Sequence, residues 1–544
     1  MMLPGKSSAS TESPLTPPIE QGEGHPPWAW PALAGIVALG AALRLWHLDV
    51  VAFQIDEAMA ATLATQMAHG RAFHLAGIRT SLGFLNPPWF LYLLTPVFAL
   101  SASPLVAGVV VALAGAAAPL AAHAAGRLMG GWRVGMIAAL VVAVCPAAVE
   151  HSRRLWGHDL QVPMAALVCW MGALAWRRGD GRWAGGAMAA AVLAQSFHLA
   201  GGVLVLGPAA LLAAGRGIRH RGAGWAMGVA GAVVVYTPWM VHDARSGWAD
   251  VRLLAGLLAG GAAARDVGVP VGGVAAWVMV LGDLWHNDLL GARRPWMAGP
   301  MAGWAAAVQY PAAVLLLGMG LARLVMARGG AALLLAPPLL GGLVLFGLGM
   351  RLSVPPYQLP VLVPAALAAA MAIGHMWRRG GAVLLVVYTA ASVALVVAVR
   401  SHLATAGAAG VTLRDRLALL DHLAAESGGA AFNLVQDARR PGAGIDVAWL
   451  YLLHARGMVG DYRPEGAAAG RHFVVHDERR PLAPAAGLFL RRHGGWRVGP
   501  LVVYTLDDDS WIAWDALRRA YPLRPRPSPA AGSPSGHSPE PAPP

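Results

Sequence analysis

The chain has 544 residues, 57% of them hydrophobic and only 13% charged, with a mean hydropathy of +0.53. A soluble protein of this length would carry roughly twice that charged fraction, so a soluble globular chain is excluded. The net charge of +13 invites a nucleic-acid reading, but the arginines sit in short loops between apolar runs, which is how membrane topology is encoded, and no nucleic-acid partner is expected.

Residues 1–27 are rich in Ser, Pro, Thr and Gly without apolar periodicity and read as a disordered cytoplasmic tail. The first apolar run, Trp28 to Leu48, lies too far in, and lacks the small-residue cleavage site, for a removable signal peptide. Arginines cluster at Arg127/Arg133, Arg177/Arg178/Arg182, Arg216/Arg219/Arg221, Arg323/Arg328 and Arg378/Arg379. Placing all five on the cytoplasmic face predicts spans near 28–48, 104–126, 133–149, 160–176, 183–199, 201–215, 222–241, 304–326, 331–349, 358–376 and 380–399. The fold expected is mainly α: a polytopic transmembrane helical bundle of about eleven spans over residues 28–400. The apolar stretch 87–100 is too short to cross and is laid along the outer surface as an interfacial or re-entrant helix. Cys145 and Cys169 fall within predicted spans and show no metal-ligand spacing.

Residues 401–523 read as a small extracytoplasmic α/β domain. Thr412 and Asp415 form a potential capping box before the amphipathic run Leu413 to Ala425. Strands are predicted at 431–437, 472–476 and 498–506. Residues 524–544 are a disordered Pro/Ser-rich tail.

With this topology the outer face gathers Asp56, Glu57, His151, Arg153, Arg154, Asp159, His198, His242, Asp243, Arg351 and Tyr357. Asp56-Glu57 either opens a helix, where acidic residues favour the positive end of the dipole, or supplies a general base, with Glu57 tuning it or holding an acceptor. The loop EHSRRLWGHDL, Glu150 to Leu160, is either a polar connection with interfacial arginines or a site. In the second reading Arg153 and Arg154 present planar paired donors suited to a phosphate, and Asp159 is a second acid or orients its neighbours. Asn86, in GFLNPPWF, sits where a loop enters an apolar helix; His198 and Tyr357 lie at the mouths of apolar runs; Arg351 is an anion-binding or an anchoring residue. No H-E-x-x-H, Walker loop or nucleophile elbow is present.

In their order and spacing, FQIDEAMAATLATQMAHG, NPPWFLYLL, HSRRLWGHD and YQLPVLVP resemble the GT-C superfamily of glycosyltransferases, over roughly residues 30–400. The nearest branch is the protein O-mannosyltransferase and aminoarabinose-transferase group. The resemblance implies a GT-C helical bundle, a polyprenyl-phosphate-linked sugar donor and a protein, lipid or glycan acceptor. It gives Asp56 the catalytic carboxylate role and Asp159 that of the second acidic loop. Arg153, Arg154 and Arg351 become donor-phosphate ligands, and Asn86, His151, His198 and Tyr357 substrate contacts. Some members use a divalent cation and others none, so the metal is left open. A transporter or flippase of a lipid-linked sugar is the alternative, but it expects charges deep within spans and repeat symmetry.

Overall fold

Apolar runs fold as helices here because a helix satisfies its own backbone hydrogen bonds where no water is present to do so. The computed structural model describes residues 26–80, 82–258, 299–327, 329–344, 355–377, 380–406, 411–436, 445–458, 460–461, 471–478 and 484–520. Arg351, Arg328, Arg378 and Arg379 lie outside the described residues, as do both tails beyond residues 26 and 520. Two units are distinguished, residues 1–417 and 418–544.

The first unit runs α1 (Ala29–Leu45), α2 (Ile55–Ala68), α3 (Trp89–Leu100), α4 (Pro104–Val144), α5 (Pro146–Glu150) and α6 (Gln161–Arg178). It continues with α7 (Gly181–Phe197), a 3-10 stretch at Leu199–Val205, α8 (Leu206–Ala214), α9 (Arg221–Arg245) and α10 (Ala249–Leu258). After residue 298 come α11 (Pro300–Met326), α12 (Gly330–Val344), α13 (Leu359–His375) and α14 (Gly381–Ala406). The expected spans overlap these helices, but 201–215 is divided between the 3-10 stretch and α8, and 331–349 runs past the described residues. Five helices among the described residues are long and apolar enough to cross a membrane, and the chain is a membrane protein.

Helix α4 carries two expected spans because it is broken in the middle. Gly130 and Gly131 leave helical geometry, Gly131 at φ 84°, and the chain doubles back. The two halves approach so closely that a Cβ on Gly135 would lie 2.7 Å from the His123 carbonyl oxygen. Small residues at such a crossing allow backbone contact that larger ones forbid.

The arginine-rich loops meet at one end of this unit. Arg177 Nε donates to the Leu128 carbonyl, Arg219 N–H donates to the Gly179 carbonyl at 2.8 Å, and Gly330 approaches the Trp176 ring. The other end holds the segments around residues 46–56 and 150–159. There Arg44, wholly buried, donates to the carbonyls of Ala143 (2.9 Å) and Val142 (3.2 Å), closing the carboxy end of α4. Arg400 on α14 pairs with Glu150 and donates to the Val50 carbonyl at 2.6 Å. The start of α4 also lies here, since Gly108 approaches Leu48 and the Arg153 carbonyl. Residues 46 and 103 therefore lie at the same end of the unit, and the 12-residue α3 falls between them in the chain.

Helix α15 (Leu413–Ser427) begins in the first unit. The expected capping box closes it: Thr412 N–H donates to Asp415 Oδ2 at 2.9 Å, and Asp415 N–H to Thr412 Oγ1 at 3.2 Å. The second unit adds α16 (Val447–Ala455), α17 (Pro484–Arg492) and α18 (Asp508–Ala520), with a sheet of β1 (Phe432–Gln436), β2 (Gly460–Asp461), β3 (His472–Asp477), β4 (Gly495–Val498) and β5 (Leu501–Leu506). Strand order is β2-β1-β3-β5-β4; β1 runs parallel to β2 and β3, and the other pairs are antiparallel. Val435, Val474, Val502, Trp511 and Trp514 form its core. The strand expected at 498–506 is in fact the turn and second arm of a hairpin, because Gly499 (φ 51°) and Pro500 reverse the chain.

Candidate functional site

The site is built from the amino end of α2. Gln54 is the N-cap, and Glu57 three residues on accepts the Gln54 N–H at Oε2, 3.0 Å, in a capping box. Successive side chains on a helix point about 100° apart, so with Glu57 turned inward Asp56 turns out. Glu57 is buried and Asp56 exposed. The adjacent carboxylates thus have different surroundings.

Glu57 meets the loop after α5. Arg154 donates from Nε to Glu57 Oε1 at 2.8 Å, with Nη2 on the same oxygen. The guanidinium lies 4.8 Å from the Trp156 ring centre. Burial opposes its charge, but the carboxylates of Glu57 and then Asp159 outweigh burial and hold the Arg154 pKa above its ordinary value.

Asp159 is fully buried, and its Oδ2 accepts the backbone N–H groups of Arg153 (3.0 Å) and Arg154 (2.7 Å). His151 Nδ1 sits 3.7 Å from Oδ1 of the same carboxylate. Arg153 donates to the carbonyls of Leu43 (2.8 Å), Trp46 (2.8 Å) and His47 (2.6 Å), closing the carboxy end of α1. Arg153, Asp159 and His151, expected as phosphate ligand, second acid and substrate contact, make these contacts within the loop and to the α1 end, and none of the three lines the cavity that opens beside them. Arg351 lies outside the described residues.

A cavity of about 140 Å³ opens beside this framework. Asp56, Asn86, His198 and Tyr357, expected from sequence and drawn from four separate segments, all line it. Asn86 closes a short antiparallel turn over residues 77–86, in which Gly77 N–H donates to the Asn86 carbonyl (2.6 Å) and Asn86 N–H to the Ile78 carbonyl (3.0 Å). Asp250 on α10 supports this turn by accepting Leu85 N–H at 2.9 Å. Asp243 caps α10 through the N–H groups of Asp250 (2.8 Å) and Val251 (3.0 Å), which accounts for that residue without a site role.

Three wall residues were not anticipated: Arg79, Trp156 and His158. Arg79 is exposed and anchored by donation to the Gly83 carbonyl. Trp156, His158, His198 and Tyr357 form a row of rings: Trp156–His158 and His158–His198 are tilted pairs with ring centres 3.7 Å apart, and His198–Tyr357 is stacked at 4.8 Å. Gly157 makes this possible, because any Cβ there would lie 2.2 Å from the Phe197 carbonyl oxygen. Gly83 was the available signal for the 77–86 turn; Trp156 and His158 belong to the loop Glu150 to Leu160 and were not singled out within it. Among the described residues no group of three or more His, Cys, Asp or Glu side chains is placed to hold a metal ion, and no step below is routed through one.

No protein-family model matches the chain, and no curated protein sequence matches it. Solved structures do. The chain is similar to ArnT from Cupriavidus metallidurans, whose crystal structure is bound to undecaprenyl phosphate, with TM-score 0.54 and 14% identity over 88% of this chain and 98% of that one. The chain has a GT-C fold. Two further GT-C structures align less closely. The Archaeoglobus fulgidus oligosaccharyltransferase in its apo form gives TM-score 0.43 and 14% identity over 72% of this chain and 57% of that one. The arabinofuranosyltransferase AftD from Mycobacteria gives TM-score 0.38 and 16% identity over 77% of this chain and 30% of that one.

Proposed function

We propose that the chain is a membrane-embedded glycosyltransferase that moves a sugar from a polyprenyl-phosphate donor to an acceptor hydroxyl, with inversion, on the extracytoplasmic face. One observation carries the reading: an exposed carboxylate, Asp56, shares a cavity with a cation, Arg79, at the end of the unit opposite the arginine-rich loops. The positive-inside rule puts those loops in the cytoplasm, so about eleven crossings place the cavity and the domain after residue 400 outside. The GT-C fold supports the reaction class, and the undecaprenyl phosphate bound by ArnT supports a polyprenyl-phosphate donor.

Asp56 accepts the proton of the acceptor hydroxyl as its oxygen attacks the anomeric carbon. The bond from that carbon to the phosphate oxygen breaks, and the lipid phosphate leaves with the electron pair. Arg79 at the wall and Arg154 behind Trp156 stabilise the charge that develops there. Displacement in line inverts the anomeric centre. Glu57, Asp159 and Arg153 are positioning residues.

The test is transfer of radiolabel from a polyprenyl-phosphate sugar in membranes containing the chain. Asp56→Asn should lower transfer by about 10²–10⁴-fold while the protein still inserts. Undiminished transfer in that variant overturns the assignment. Movement of the lipid-linked sugar across the bilayer without transfer identifies a flippase instead.

A further inference from the structure

Residues 46–53, between α1 and the N-cap of α2, belong to no helix or strand, yet they carry the chain to Asp56. Their carbonyls are satisfied by groups distant in sequence. Arg153 donates to Trp46 and His47, Arg400 to Val50 at 2.6 Å, Arg414 N–H to Asp49 at 2.9 Å and Leu413 N–H to Val51 at 2.8 Å. His47 sits at φ 50°, a left-handed conformation that a residue with a side chain keeps only where its surroundings impose it. The path of this stretch is therefore imposed from outside it.

Most of that grip comes from the end of α14 and the start of α15. Ala52 faces Thr412 in an antiparallel bridge. The planar fork of Arg414 takes both oxygens of Asp49, Nε at 2.5 Å and Nη2 at 2.9 Å. Nη2 also reaches His47 Nδ1 at 2.9 Å, and Nη1 donates to the Ala404 carbonyl at 3.3 Å. Only Phe53, 1% exposed, separates Ala52 from the Gln54 N-cap, and Asp56 follows two residues later. Asn86 and His198 are held by other contacts, through the 77–86 turn with Asp250 and through Ala200.

We propose that the first turn of α15 sets the place of Asp56, with Arg414 as the positioning residue. The inference rests on the glycosyltransferase reading and adds to it a scaffold for the general base alone. The donor is met by segments that this turn does not touch, so its loss acts on turnover and not on donor binding. Because α15 runs past residue 417, the second unit joins the chain at the element that aligns the base.

Transfer kinetics of the full-length chain in membranes test this, each kcat being taken per folded protein below its thermal midpoint. Arg414→Gln should lower kcat about 10–100-fold, as misplacement of a reacting group by about 1 Å does, and leave the donor KM within about twofold. Arg414→Lys, which keeps the charge but not the fork, should fall between the two. Proline is tolerated at the first position of a helix, which in α15 is Leu413, but it removes the N–H that Val51 accepts. Leu413→Pro should therefore turn over about tenfold more slowly than Leu413→Ala, which keeps that N–H. Oxidising Ala52→Cys with Thr412→Cys in the Arg414→Gln background makes the bridge covalent and should restore kcat. A lowered thermal midpoint with kcat unchanged in Arg414→Gln, or equal kcat in Leu413→Pro and Leu413→Ala, overturns the inference. A cross-link that forms without restoring kcat counts against it as well. A wild type that transfers no sugar removes instead the glycosyltransferase reading beneath it.

Discussion

Arg154 and Glu57 stand 97 positions apart in the chain and are joined through Nε and Oε1 at 2.8 Å. This pair fixes the loop that carries Trp156 to the helix that carries Asp56. Removing one partner from a buried pair costs about 3–5 kcal/mol, because it strands the other charge. Glu57→Ala and Arg154→Ala should each lower the thermal midpoint in detergent markedly. The double variant should be less unstable than the sum of the two. Strict additivity would show that the pair does not hold the site together.

Arg79 and Arg153 should separate cleanly in kinetics. Arg79 is exposed at the cavity wall, whereas Arg153 is enclosed by three carbonyls of the α1 end. Arg79→Ala should raise the KM for donor about tenfold, the effect of losing one charge-assisted hydrogen bond, with no change in thermal midpoint. Arg153→Lys should lower the midpoint and leave the donor KM alone. The reverse pattern would return Arg153 to the phosphate.

The break in α4 makes a packing prediction. A side chain on Gly135 would press on the His123 carbonyl, so Gly135→Val should cost about 1–3 kcal/mol in stability, as overpacking of a filled interior does. Gly131, which meets nothing within 4 Å, should reject Val for a different reason, its positive φ. Retention of full stability in Gly135→Val would mean that the halves of α4 are not in contact.

Acid should loosen the segment after α1. Arg414 grips Asp49 with Nε at 2.5 Å and Nη2 at 2.9 Å. Partial burial raises the Asp49 pKa, but the Arg414 hydrogen bond and charge outweigh it and leave the carboxyl below its ordinary value. A depressed carboxylate contributes stability that is fully present above its unfolded pKa of about 3.9 and is lost as pH falls through the folded value. The coupling between Asp49→Asn and Arg414→Gln should therefore be measurable at pH 6 and be lost as acid protonates the depressed carboxyl, below its unfolded value. Coupling that persists there would contradict the pairing.

The helices were legible because each is written as one long apolar run whose length a bilayer dictates. Even the double character of α4 showed in the interruption between Ala125 and Val134. Asp56, Asn86, His198 and Tyr357, which line the cavity, each sit where such a run meets a polar stretch. What sequence does not encode is side-chain direction in the connecting loops, which have no periodicity to fix it. Arg153 and Arg154 are neighbours of one type, yet one turns to backbone carbonyls and the other to a carboxylate. Arg79 was missed because its approach to the cavity depends on the pairing of residues 77 and 86. His158 was missed because its partner His198 comes from the far end of α7.

Asn86 owes its position to a part of the chain with no contact of its own to the reacting groups. The carboxylate of Asp250 holds the neighbouring Leu85, and Asp243 in turn holds the start of α10. Asp243 at the close of α9 and Asp250 at the opening of α10 thereby act as a bracket for the rim, so sequence drift after α9 can retune turnover while every group in the cavity stays the same.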